Sequence, residues 1–334
     1  MSDLTSKTPD LWCDFDLVEA FQLSHAVAAL HDLQIFAALM KPATTEELSA
    51  RYSLDACLLG GMLEYVAART DLLRKSGERF VTAPGYSARS HFLLDLYAGA
   101  YGGNAAQLAK LLRDPSLAPK VVNRVRYARA FDTVEGLTPD FLPEIIRRLE
   151  LNHVLDLGCG NAAMLLELAG QDSEFLGWGV ELHTAMCRAA KAKIRAAGLG
   201  KRVQVLKGDC RNLSSVVPTK VLAMVRAVTA CNIANEMFTE GHSRAIAWLR
   251  DIRKVLPGRT LLIDDYYGRL GHKKKKGRIS RETLLHDYAQ LISGQGVPPP
   301  SAAEWRSIYS RAQCRLVHII EDKATTRFIH IVRL

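Results

Sequence analysis

Apolar positions set the element pattern of this chain, and their spacing changes along it. From Val18 to Met40 they recur at three- and four-residue intervals, which predicts one long amphipathic helix broken at Pro42. Thr44-x-x-Glu47 is a capping box opening a short helix, and Asp55 to Arg69 predicts another. Leu72–Arg74 and Arg79–Thr82 flank Lys75-Ser76-Gly77-Glu78, a glycine-containing turn, as a small hairpin. Residues 86–137 continue with helical spacing, interrupted by glycines between 99 and 103, and carry the basic stretch Arg124-Val125-Arg126-Tyr127-Ala128-Arg129. Thr138-Pro139 opens a further helix by a cap followed by proline in the first turn.

Beyond that point strands and helices alternate. Strands are predicted at 154–157, 175–180, 203–206, 221–228 and 260–264, and helices at 162–169, 242–255 and 280–293. Strands at 315–321 and 327–332 close the pattern as an antiparallel pair around Asp322-Lys323-Ala324. Alternation of this kind implies a doubly wound α/β sheet with ligands at the carboxyl ends of its strands. The chain thus divides into 1–85, mainly helical with a hairpin, 86–137, a helical linker, and 138–334, the α/β domain.

The turn after the first of these strands carries the chemistry. It reads His153-Val-Leu-Asp156-Leu-Gly158-Cys159-Gly160-Asn-Ala162 and runs into a helix, so a ligand can approach backbone amides closely. Glycine spacing alone does not separate it from a dinucleotide fingerprint, which tolerates alanine at the third position, here Ala163. The acid inside the strand end is what distinguishes it. Glu181 ends the second strand, 21 residues after Gly160, where an acid can take two ribose hydroxyls. The third strand ends in Gly208-Asp209-Cys210.

Three acids at three successive strand ends resemble the cofactor site of class I S-adenosylmethionine-dependent methyltransferases. The resemblance implies a seven-stranded sheet, S-adenosyl-L-methionine as cofactor, and a role for each position. Asp156 lies near the methionine end, with Gly158 and Gly160 against the ligand. Glu181 takes the ribose, Asp209 the adenine amino group, and Cys210 gives a backbone amide. It rests on motifs over 138–334 and on pattern alone over 15–137. There, three helices and a hairpin make a winged-helix domain, which small-molecule methyltransferases use to dimerise. The third helix, DACLLGGMLEYVAAR, has Arg69 as its one basic residue. A DNA-reading helix would show more Arg, Lys, Asn or Gln. A homodimer is therefore expected rather than a nucleic-acid-binding regulator, which stays as an alternative.

Acceptor residues are expected after the fourth and fifth strands and on the next helix. The Asn/Asp-Pro-Pro-aromatic signature of amino-group methylation is absent after the fourth strand. Polar residues, an acid and a histidine in this order resemble bacterial 2-oxo-acid C-methyltransferases, and the resemblance assigns Glu236 (or Asn235), Asp265 (or Asp264) and His286. Those three positions could hold a divalent ion, iron or zinc, although the two histidines usual in such enzymes are not both here. A Lewis acid would stabilise the enolate of a 2-oxo acid, a base would take the β-proton, and Arg126 would clamp the carboxylate. The expectation is thus C-methylation of the β-carbon of a 2-oxo acid. The alternative is O-methylation of a phenol or other hydroxyl with His286 or His272 as base.

Composition narrows the setting. A charged share of 24% against 48% hydrophobic is that of a soluble globular protein. No apolar run is long enough for a bilayer, and the N-terminus lacks a signal-peptide pattern. Seven scattered cysteines without a CxxC pair point to reduced thiols in a cytoplasm. The formal net charge is +9, and part of it lies in His272–Arg278, a run that predicts a solvated loop. The positive field favours an anionic small-molecule acceptor.

Overall fold

The computed structural model describes residues 13–134, 141–271, 281–322 and 326–334. The cap at Thr138-Pro139, the basic run His272–Arg278 and the turn residues Lys323 and Ala324 lie outside them. The chain divides into two compact units, Met1–Ala100 with Arg129–Val134, and Tyr101–Ala128 with Glu135–Leu334.

In the first unit, helix α1 (Asp14–Asp32) does not run on to Met40 as expected. Gln34 adopts a left-handed conformation (φ 61°), which ends the helical hydrogen bonding and starts a separate short helix, Ile35–Ala38. The bend turns Ile35 and Phe36 into the core beside Leu30 and Leu63. Helix α2 (Thr45–Tyr52) has the expected capping box: Thr44 N donates to Glu47 Oε2 (2.9 Å), and Glu47 N to Thr44 Oγ1 (3.2 Å). Helix α3 (Ala56–Arg69) is capped by the Asp55 carboxylate. Strands β1 (Ala43–Thr44), β2 (Leu73–Ser76) and β3 (Arg79–Thr82) form an antiparallel sheet in the order β1-β3-β2. Arg69 is held by Glu19 through two hydrogen bonds, so the basic residue of α3 is already paired. A π-helical turn, Leu94–Ala100, carries Asp95, which is 1% exposed. His31 Nε2 lies 3.2 Å from Asp95, and the Arg129 guanidinium donates to both its oxygens.

Helix α4 (Arg124–Val134) begins in the second unit and ends in the first. The second unit is built on a seven-stranded sheet in the order β6-β5-β4-β7-β8-β10-β9. Its strands are β4 (His153–Leu157), β5 (Leu176–Glu181), β6 (Val203–Lys207), β7 (Ala227–Cys231), β8 (Thr260–Tyr266), β9 (Arg315–Glu321) and β10 (Arg327–Arg333). Strand β10 is antiparallel to both β8 and β9, as expected. The fourth strand is shifted from its expected place. Thr219–Met224 is helical, and the strand begins only at Ala227. Pro218 stands at the helix N-cap, and Lys220, Leu222, Ala223 and Met224 all favour helix, so helix propensity wins over an apolar run of ambiguous period.

Successive strand residues serve two cores. Val154 and Leu262 face one layer, and Leu155, Leu157, Leu261 and Ile263 face the other. Helices α5 (Phe141–Arg148), α6 (Ala163–Gln171) and α7 (Thr184–Ala196) contribute to the first layer, and α8 (His242–Val255) and α10 (Ala302–Arg311) to the second. Helix α9 (Arg281–Ile292) precedes α10 in the chain. Among the described residues no helix is long and apolar enough to cross a membrane.

Candidate active site

Close backbone packing shapes the turn after β4. Gly158 (φ 69°) and Gly160 (φ 55°) have left-handed backbones that L side chains rarely adopt. A Cβ on Gly158 would also lie 2.9 Å from Ile233 Cδ1. Gly158 N and Cys159 N both donate to Val180 O, at 2.8 and 3.1 Å, and tie this turn to the end of β5. Asp156 is 5% exposed and accepts from Thr229 Oγ1 at 2.7 Å, which orients its carboxylate.

Glu181 completes that corner. Its Oε2 accepts from Gly160 N (3.0 Å) and its Oε1 from His183 N (2.7 Å). Each carboxylate oxygen has two lone-pair directions, so one on each remains for a pair of hydroxyl donors. The residues therefore fit the ribose of S-adenosylmethionine. Burial raises the Glu181 pKa, while the His183 and Gly160 amides and Arg124 pull it down. Asp209 is less open than expected. Burial acts upward on its pKa, but hydrogen bonds from Arg211 hold it below its ordinary value. Arg211 N and Nε reach Oδ1, and Nε and Nη2 reach Oδ2, so Arg211 occupies both oxygens. Its neighbour Cys210 is 9% exposed, with its thiol pushed up to about 12 by burial.

The acceptor-side residues take roles that differ from those expected. Asp265 is fully buried, and its oxygens accept from Asn235 N (3.1 Å) and Tyr266 N (2.9 Å). It anchors the 3₁₀ turn Ala234–Phe238 to the end of β8. Burial pushes its pKa up to about 7. Glu236, on that turn, accepts from Gln295 Nε2 at 2.9 Å. Burial raises its pKa; Arg124 opposes this, and the like charge of Glu181 adds to it. His286 packs edge-on against Tyr266 with ring centroids 4.8 Å apart, and its Nε2 lies 3.1 Å from Gln290 Nε2. Burial lowers its pKa to about 4, so its imidazole is neutral.

The expected metal set of Glu236, Asp265 and His286 is not assembled. Among the described residues no group of three or more His, Cys, Asp or Glu could hold a metal ion. The reason is local: backbone amides hold both Asp265 oxygens, Gln295 holds Glu236, and Gln290 faces His286 Nε2. The alternates fare no better, since Asp264 pairs with Arg327 and Asn235 is buried. The basic stretch on α4 also divides. Arg129 is committed to Asp95, and Arg124 is the guanidinium whose charge reaches Glu181, Glu236 and His183. Arg126 N donates to Asn123 Oδ1 at 3.1 Å. His272 lies outside the described residues.

Sequence reasoning did not single out Arg124, Tyr127, Tyr266, Gln290 or Gln295. Tyr127 stacks edge-on with Tyr101 at 6.2 Å, lies under Arg124, and has its hydroxyl pKa raised by burial and by Glu236. The basic stretch was a signal for Arg124. The two glutamines had none beyond their place around Gly294 in a proline-rich segment.

Residues 154–256 match the family described as Methyltransferase domain. The match spans less than a third of the chain. The seven-stranded sheet with its reversed strand β10 belongs to a fold shared with solved methyltransferases. Solved methyltransferase structures share this fold over nearly their whole length. The mitomycin 7-O-methyltransferase MmcR superposes with a TM-score of 0.73 at 15% identity, covering 96% of each chain. The O-methyltransferase NcsB1 of neocarzinostatin biosynthesis, in complex with S-adenosylmethionine and 2-hydroxy-5-methyl naphthoic acid, gives 0.69 at 16%, covering 92% of this chain and 95% of that one. The N,N-8-amino-8-demethyl-D-riboflavin dimethyltransferase RosA from Streptomyces davawensis gives 0.62 at 19%, covering 96% and 97%. None of these supports C-methylation of a 2-oxo acid by the methyltransferase domain.

Proposed function

We propose that this chain is an S-adenosylmethionine-dependent O-methyltransferase acting on a hydroxyl group of a small organic molecule. The observation that carries the proposal is the carboxylate of Glu236, with a raised pKa, beside the buried Glu181 of the cofactor corner. Gly158, Gly160, Glu181 and Cys210 hold the cofactor, with Asp156 toward its methionine end and Asp209 toward its adenine. When bound, S-adenosylmethionine supplies an electrophilic methyl group on a sulfonium. Glu236 accepts the proton that the acceptor hydroxyl loses. A base is most effective when its pKa is near the working pH, and burial moves Glu236 in that direction. His286 is moved the other way and serves better to orient Gln290 and Tyr266. The O-methyl chemistry named for MmcR and NcsB1 supports this reading over a 2-oxo acid substrate.

The protein acts as a homodimer in a reducing cytoplasm. Phe15, Val18 and Phe21 on α1 are 68%, 62% and 58% exposed, an apolar patch that suits a second copy. The seven cysteines suit that compartment. The test is incubation with a deuteromethyl-labelled cofactor and matched panels of phenols, amines and 2-oxo acids, read by mass spectrometry. Label on phenol oxygen is expected. Label on carbon of an oxo acid, or only on nitrogen, would replace the proposal.

A further inference from the structure

Three basic side chains line up at the amino ends of β4, β7 and β8, the opposite end of the sheet from Gly158 and Glu181. Strand register pairs Val154 with Ala227 and Ala227 with Thr260, so His153, Arg226 and Arg259 fall side by side, one residue before those pairs. Neighbouring strands lie about 4.8 Å apart, which sets the spacing of this row. Alternation puts it on the same face as Leu155, Val228 and Leu261, which pair in the same way two residues further along and are buried in the second core layer. An apolar column of the core therefore ends, at the rim, in three basic groups.

The row borders a cavity of about 510 Å³, whose other lining residues are Ala223 and Met224. No carboxylate is among the lining residues. Arg69, Arg129, Arg211 and Arg327 each have an acidic partner. The guanidiniums of Arg226 and Arg259, in contrast, make no hydrogen bond or ion pair with a described residue. His153 Nδ1 lies 2.8 Å from the acceptor Asn152 Oδ1, so Nδ1 carries the proton and Nε2 is left for another partner. Burial and the charge of Arg226 hold the His153 pKa below its ordinary value, so the field along the row is positive. Like charges side by side repel, and an anion between them relieves the repulsion.

We propose that this cavity is a binding site for a phosphate monoester that carries an apolar group. Each guanidinium is a planar fork that matches phosphate oxygens, and two of them balance the charge of about −1.5 to −2 that a monoester carries at pH 7. A carboxylate brings one charge and two oxygens, and satisfies the row less well. Met224, 43% exposed, and Ala223 offer contact to the apolar group of the ester. The five residues of β4 put about 16 Å of strand between this cavity and the turn at Gly158. The inference is thus independent of the acceptor and of the chemistry at Glu236.

The test is calorimetric titration of the full chain with phenyl phosphate, inorganic phosphate and benzoate, each with and without S-adenosylhomocysteine. Phenyl phosphate is expected to bind at least about tenfold more tightly than benzoate, which has fewer charges and oxygens for the two forks. It should also bind at least about threefold more tightly than inorganic phosphate, which has no group to cover Met224. Arg226→Gln and Arg259→Gln should each weaken phenyl phosphate at least about fivefold. Met224→Glu leaves both arginines in place and sets a negative charge in the cavity, and should weaken it as much. Circular dichroism checks that each variant is folded. The proposal is overturned if phenyl phosphate does not bind, if benzoate matches it, if the variants leave its affinity unchanged, or if S-adenosylhomocysteine displaces it.

Discussion

Replacing Asp265 by asparagine tests how a fully buried carboxyl holds the acceptor turn. Its pKa rises from an ordinary 3.8 to about 7, chiefly through burial. A raised acid stabilises the fold fully below its unfolded pKa and loses that contribution as pH rises to the folded one. At about pH 5 the folded group keeps a proton that the unfolded group has lost, and above the folded pKa both states are ionised. The two intervening pH units, at about 1.4 kcal/mol each, make the wild type about 3 kcal/mol less stable at about pH 8.5 than at about pH 5 through this group. Asparagine stays neutral but offers one acceptor where Asn235 N and Tyr266 N need two. That mismatch costs about 1–3 kcal/mol at either pH. Asp265→Asn should therefore be clearly less stable than wild type at about pH 5 and level with it, or above it, at about pH 8.5. Urea denaturation followed by circular dichroism at both values measures the difference, and subtraction cancels the other titrating groups. A difference that does not change with pH would show that the carboxyl is ionised in the fold throughout, and the argument from burial would fail.

Other expectations follow from the same geometry. Glu181→Ala removes an acceptor of two ribose hydroxyls and should weaken S-adenosylmethionine binding at least about tenfold by calorimetry, from charge-assisted bonds of about 1.5–3 kcal/mol each. Glu236→Gln should cut kcat at least about a hundredfold while leaving cofactor affinity close to wild type. The wild-type rate should rise with pH through the raised Glu236 pKa, because the base works deprotonated, and a variant that keeps this limb would count against Glu236. Phe21→Asp should halve the mass seen by light scattering, and a wild type already monomeric would refute the dimer. Arg129→Ala should cost about 2–3 kcal/mol in chemical denaturation. That is below the loss for a fully buried pair, because the guanidinium is 43% exposed while Asp95 is 1% exposed.

The backbone of the α/β unit was legible because its signals were redundant. Period, glycine turns and an acid at each strand end agreed, so β4, β5 and β6 fell where expected. The strand at Ala227–Cys231 was misplaced because Val221–Val228 is apolar apart from Arg226, and period cannot separate a buried strand from a short helix there. The long first helix was overrun because nothing in Leu33-Gln34 announces a left-handed residue. On the acceptor side, residue type suggested ligands, but hydrogen bonding decided otherwise. Asp265 next to Asp264 reads as a possible metal ligand in sequence. Only the fold reveals that it is consumed by two backbone amides. Gln290 and Gln295 carry no chemistry of their own, so they become visible only through their contacts with His286 and Glu236.

The contact between Gly158 and Ile233 bears on how such an enzyme could change its substrate over time. The Ile233 side chain fills the space that a Cβ at position 158 would need, so the glycine is required by the neighbouring segment as well as by its own backbone. A change at either position therefore constrains the residue allowed at the other. A transplanted 232–238 segment with a different residue at 233 would loosen or crowd the turn at Gly158. Gly294 is bound in the same way, since its backbone is left-handed and a Cβ there would lie 2.8 Å from Pro119.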